Sequence, residues 1–221
     1  MSNLPDHCVR LGHLDEARRE TVPGAQLTAL RRAAPRLREH IRASGKPSAV
    51  RTCDLITFPY PAGFALGGAA WSPAPYVMMT NRMQVVRFEA GGATRTLLVN
   101  PSDYERGMKT PFFARTAELA GDFLIKNVLT SRWGAAEIHL ANAGIAPEEV
   151  DYITFDHLHV QDLRGWIGPG GRFPRARLLV QREELETLAE PAPLQAIWYV
   201  ADGVAGIAPE RIITLDHDVL L

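Results

Sequence analysis

From Gly134 to Phe155 the chain spells a helix and the strand that follows it. Ile138, Ala141 and Ile145 recur at spacings of three and four, the period of a helical stripe. Gly144 suits the left-handed residue that ends such a helix. Pro147-Glu148-Glu149 turns the chain, and Tyr152-Ile153-Thr154-Phe155 reads as a short strand. A helix that leads directly into an apolar strand is a building unit of α/β folds.

Upstream, Val77 to Thr80 and Met83 to Glu89 read as strands. Gly91-Gly92 signals a tight hairpin, with Arg95 to Asn100 pairing back. Val50 to Phe58 is a further strand, ended by Pro59-Tyr60-Pro61, and Gly63 to Pro75 is loop-like. Asn100-Pro101-Ser102-Asp103 is a turn. Pro111 to Leu129 carries a helical pattern. Glu183 to Ala189 and Leu194 to Val200 read as short helices around Pro191-Ala192-Pro193, and Ile212 to Leu215 as a last strand. Before all of these, Leu27, Leu30, Ala34, Leu37 and Ile41 form a helical stripe that Pro35 should kink or split. The opposite face carries Arg31, Arg32, Arg36, Arg38 and Arg42. Residues 1–48 are therefore expected to be an N-terminal helical extension, and 49–221 a single α/β domain.

Composition narrows the function classes. The 221 residues are 46% hydrophobic and 22% charged, with a formal net charge of −1. That balance suits a globular chain and provides no field for nucleic acid or an anionic membrane surface. Cys8 and Cys53 are isolated, which fits a reducing, cytoplasmic setting. No apolar leader or membrane-length stretch is present. Neither a membrane nor a nucleic-acid partner is expected.

The chemistry concentrates after the strand at 152–155, in Asp156-His157-Leu158-His159-Val160-Gln161-Asp162. Strand side chains alternate with period two, so His157 and His159 should face the same way. Two imidazoles on one face suit a transition metal, and Asp162 is placed to add a carboxylate. The bland alternative is a pair of half-buried histidines bonded to backbone groups. The Gly-rich segment 165–171 lacks a phosphate-loop pattern. It is expected to be a mobile loop over the site, with Trp166 as an apolar wall.

The stretch from Gly144 to His159 resembles the metallo-β-lactamase superfamily, in which a Gly-capped helix and a Pro-acidic turn lead into a strand bearing His-x-His-x-Asp-His. Thr96 to Pro101, Ala176 to Leu185 and Ile212 to Leu221 are similar to neighbouring elements of that family. The resemblance implies a metallo-β-lactamase-like mixed sheet with helices packed on it, half of an αββα sandwich. It also implies a metal-dependent hydrolase of esters, lactones, amides or phosphoesters, acting on a small-molecule substrate. One or two zinc, iron or manganese ions would be held by His157, His159 and Asp162, with Asp162 or Asp156 as base. Gln161 and Asp162 depart from the family's Asp and His. The family's later ligands do not follow either, so the C-terminal half of its fold is expected to be missing. Two other functions compete with the hydrolase. One is a truncated, non-catalytic member acting as a binding or interaction module, whose uncovered sheet face would favour a homodimer. The other is a regulatory module using the basic N-terminal helix.

Overall fold

The computed structural model describes residues 4–67, 69–114, 130–200 and 202–221. Seven strands form one mixed sheet in the order β5-β2-β3-β4-β6-β7-β8. They are β2 (Ala49–Pro61), β3 (Tyr76–Ala90), β4 (Ala93–Val99), β5 (Ser131–Arg132), β6 (Tyr152–Thr154), β7 (Arg177–Gln181) and β8 (Ile212–Leu215). β5, β2, β3 and β4 pair antiparallel, whereas β4, β6, β7 and β8 run parallel. The α/β mixed sheet with helices on it is thus present.

The Gly91-Gly92 hairpin forms as expected. Both residues have positive φ (59° and 74°), and Ala90 pairs with Ala93 across them. This is the two-residue turn whose twist matches that of its strands. Gly144 ends the helix Ala136–Asn142 at φ 68°.

The parallel strands show why a period-two reading finds two cores. Leu98, Ile153 and Leu178 point to one face, where Leu140, Leu163, Trp166, Ile167 and Phe173 cover them. Their neighbours Leu97, Tyr152 and Leu179 point to the other, with Phe88 and Ile213. This second face is not bare: Leu4 and Leu221 pack on it from the two ends of the chain. A small antiparallel pair, β1 (Val9–Leu11) with β9 (Asp218–Leu220), joins those ends.

Three local expectations need correction. The stripe at 27–41 forms a single element, Pro23–Ala43, so Pro35 does not split it. None of its residues is buried, so the carbonyl that Pro35 leaves without a donor can turn to water. β2 continues through Pro59 and Pro61 to pair with β3. Among the described residues β5 reaches only Ile56 and Thr57, so the prolines lie on an edge where a missing N–H is tolerated. Finally, β3 is one strand and not two. Of the helix expected at Pro111 to Leu129, residues 111–114 are helical and 115–129 lie outside the described residues.

Candidate active site

The histidine segment leaves the carboxyl end of β6 and is held in place by its own backbone. Asn100, at the carboxyl end of β4, accepts from the Asp156 N–H through Oδ1 at 2.9 Å. Glu184 accepts from the Leu158 N–H at 2.6 Å, and the Trp198 carbonyl from the Val160 N–H at 2.7 Å. Val160 takes φ 59°, which is costly for a β-branched side chain. The three anchors pay that cost, and the segment bends sharply between His159 and Gln161.

The two imidazoles lie together just before that bend. Their ring centroids are 4.8 Å apart and nearly perpendicular, at 81°. His157 Nδ1 lies 3.0 Å from Asp156 Oδ1, and both side chains are exposed. His159 is stacked on Trp198 (centroids 6.0 Å, 24°) and meets Tyr199 edge-on at 4.8 Å. Burial pushes its pKa below the ordinary histidine value, and the neighbouring His157 adds to the effect against Glu184. His159 is therefore a neutral imidazole at pH 7.

Both histidines line a cavity of about 160 Å³ with aromatic walls, among them Phe58, Tyr60, Phe113 and Trp198. Phe112 packs under Trp198, with centroids 3.7 Å apart. Tyr104 also lines the cavity, and its buried hydroxyl has no hydrogen-bond partner among the described residues.

Asp162 is not gathered with the histidines. It is 8% exposed, and its carboxylate is claimed by two arginines. Arg106 Nη1 donates to Oδ2 at 2.8 Å, and Arg164 donates to Oδ1 through Nε at 2.8 Å. Burial would raise its pKa, but the bonds from Arg164 and Arg106 outweigh that and lower it. Gln161 is buried and donates to Ser102 Oγ at 3.2 Å. Among the described residues, no three histidine, cysteine, aspartate or glutamate side chains come together as a metal centre requires. His217, exposed in the turn before β9, lies beside Arg182 in a different cavity.

Trp166 is also not where the sequence placed it. The segment Arg164–Ile167 is a short helix, and Trp166 is 1% exposed, stacked on Phe173 with centroids 5.5 Å apart. An indole supplies too much apolar surface to leave at a loop tip when the sheet face beside it is open. The wall of the site comes instead from Trp198 and the Phe112-Phe113 pair. Their signal was aromatic residues beside Pro and turn residues, which does not reveal what they face.

No protein-family model matches the chain, and no curated protein matches it. Several solved structures are similar to it. One is an N-acyl homoserine lactone hydrolase with its product, N-hexanoyl-L-homoserine, bound at the catalytic metal centre; it is 16% identical, with 77% of this chain and 60% of that one covered, at TM-score 0.48. Another is a probable metal-dependent hydrolase from Staphylococcus aureus, 13% identical over 76% of this chain and 58% of that one, at TM-score 0.48. A third is the hydrolase AbOPH in the beta lactamase superfamily, 19% identical over 77% and 59%, at TM-score 0.43. The chain spans about 60% of the length of the first of these.

Proposed function

We propose that the chain is a hydrolase working at the His157–His159 face of the aromatic cavity, on a small substrate with an apolar portion. The observation that supports this most is the pair of imidazoles at the carboxyl end of β6, one exposed and one half-buried, on the wall of a cavity that also holds an unpartnered phenol. Ligand sites of α/β sheets favour that end of the strands.

The described residues do not complete a metal site. Structural and catalytic zinc sites use at least three protein donors. Here His157 and His159 are the two that come together, and Asp162 is held by arginines. Zinc, iron or manganese is the cofactor that the sequence resemblance implies; His157 and His159 would hold it, and it would supply an activated water. The chain's own residues support a simpler route. Neutral His159 accepts a proton from water as its oxygen bonds to the acyl carbon. The Tyr104 hydroxyl donates to the oxygen that gains negative charge. The proton on His159 then passes to the departing group as its bond to the acyl carbon breaks. The aromatic walls bury the apolar part of the substrate and exclude bulk water. Esters and lactones fit this route best among the expected substrates.

A second reading, a non-catalytic binding module, is favoured by Asp162 and Gln161, whose side chains are committed to Arg106, Arg164 and Ser102. One experiment separates the two. Metal content per chain and turnover of aryl esters and lactones are measured for the wild type and for a His157→Ala/His159→Ala variant. Turnover lost in the variant supports the hydrolase, and about one metal per chain, lost with it, restores the metal. Ligand uptake without turnover in either protein supports the binding module.

A further inference from the structure

At the opposite end of the same strands lies a second, larger cavity, of about 520 Å³, lined by His7, Arg95, Asp151, Tyr152, Arg175 and Arg177. Here we infer that the chain binds a small phosphate-bearing anion, at a site separate from the histidine pair.

The charge count comes first. Three guanidiniums line the cavity, and Asp151 and Asp6 are its two carboxylates. Three less two leaves one positive charge unmatched. Asp151 accepts from Arg95 Nη1 at 3.1 Å and from the Thr96 N–H at 2.9 Å, and Arg175 Nη2 lies 3.7 Å from it as an ion pair. Arg177 has no carboxylate partner among the described residues. It donates to the Tyr152 hydroxyl at 3.3 Å and lies over that ring, 5.5 Å from its centroid. A guanidinium held half-buried with no counter-ion is costly unless an anion arrives.

Hydrogen bonding points the same way. Arg95 Nε is buried with no acceptor among the described residues. Tyr152 Oη accepts from Arg177 and lies 3.1 Å from His7 Nε2, so that phenol can donate to a neutral His7. Burial first, then Arg95 and Arg177, push the His7 pKa down. Only the part of that shift owed to Arg95 and Arg177 reports a positive field, which is the part an anion would share.

The choice of phosphate follows from the donors. A planar carboxylate is satisfied by one guanidinium fork. Three guanidiniums from separate positions suit a tetrahedral group with three terminal oxygens. The cavity exceeds what inorganic phosphate fills, so a phosphate ester is the fuller fit.

The test is calorimetric titration of the full chain with inorganic phosphate and with phenyl phosphate, at matched ionic strength in chloride. The expected result is saturable binding of one anion per chain. It should weaken about tenfold in Arg177→Gln, the loss of one charge-assisted contact. It should be unchanged in the His157→Ala/His159→Ala variant, so this inference fails or stands separately from the hydrolase. Exposed Arg175 gives a variant with little folding risk, and Arg175→Gln should weaken binding about threefold. Tighter binding of phenyl phosphate identifies an ester ligand, and equal binding identifies the free anion; both support the site. No saturable binding of either probe, or the same affinity in folded Arg175→Gln and Arg177→Gln, overturns it.

Discussion

The two ends of the parallel strands offer opposite chemistry. β6 contributes to both within six residues: Tyr152 at its amino end and His157 just past its carboxyl end. The carboxyl-end cavity is small, aromatic and centred on imidazoles. The amino-end cavity is larger, polar and surrounded by guanidiniums. At the carboxyl end the backbone of the loop is fixed by Asn100, Glu184 and Trp198, and the imidazole edges are left free. At the amino end the side chains are partly tied to one another, and what is left over is charge. The two cavities share no lining residue, because the two loop sets of a sheet are independent.

The largest effect that tests this division comes from a residue belonging to neither end. Trp166→Ala should destabilise the chain by about 3–5 kcal/mol, because the indole is fully buried against Phe173. Denaturant unfolding measures this. A loss under about 1 kcal/mol would return Trp166 to the loop role that the sequence suggested.

Asp162→Ala should cost about 2 kcal/mol. That is below the figure for a fully buried pair, since Arg106 and Arg164 are each 41% exposed. The pH dependence has a definite sign. The folded pKa of Asp162 lies below its ordinary 3.8, so its contribution is present above that value and is lost as pH falls through the lower folded one. The stability gap between wild type and Asp162→Asn should therefore close in acid. A gap that widens there would separate Asp162 from its arginines.

Trp198→Ala should act on the site and not on the fold. KM for an aryl ester should rise about tenfold, with little change in unfolding free energy, because Trp198 is only half-buried. An unchanged KM would remove the aromatic wall from substrate binding. The pH profile sharpens the same end. With the His159 pKa below the ordinary 6.5, kcat/KM should fall in acid with a midpoint below that pH. A midpoint above 6.5 would contradict a desolvated imidazole. The smallest effect belongs to the hairpin: Gly92→Ala, at φ 74°, should cost about 1 kcal/mol and leave both cavities intact.

Much of the architecture was legible because local signals and tertiary demands agreed. Gly91-Gly92 specified a hairpin, Gly144 ended a helix, and the alternation in Leu97-Leu98, Tyr152-Ile153 and Leu178-Leu179 reported a sheet buried on both faces. The histidine pair was legible as two neighbours on one face. Its surroundings were not. Asp162 is three residues from His159, and spacing suggested a shared ligand set. The strained Val160 turns the chain between them, and Arg106, from 56 residues away in sequence, captures the carboxylate. Trp166 was misplaced for a similar reason: Trp166 and Trp198 look alike in sequence, and only packing decides which fills the core. The arginine cavity was invisible, since Arg95, Arg175 and Arg177 meet only when β4, β6 and β7 align.

The most direct test of the account is turnover of an aryl ester and a lactone by wild type, His157→Ala/His159→Ala and Arg177→Gln under identical conditions. The account predicts hydrolysis in the wild type and in Arg177→Gln, and its loss in the histidine variant. Equal turnover in all three, or none in any, would contradict a hydrolytic site at the histidine pair.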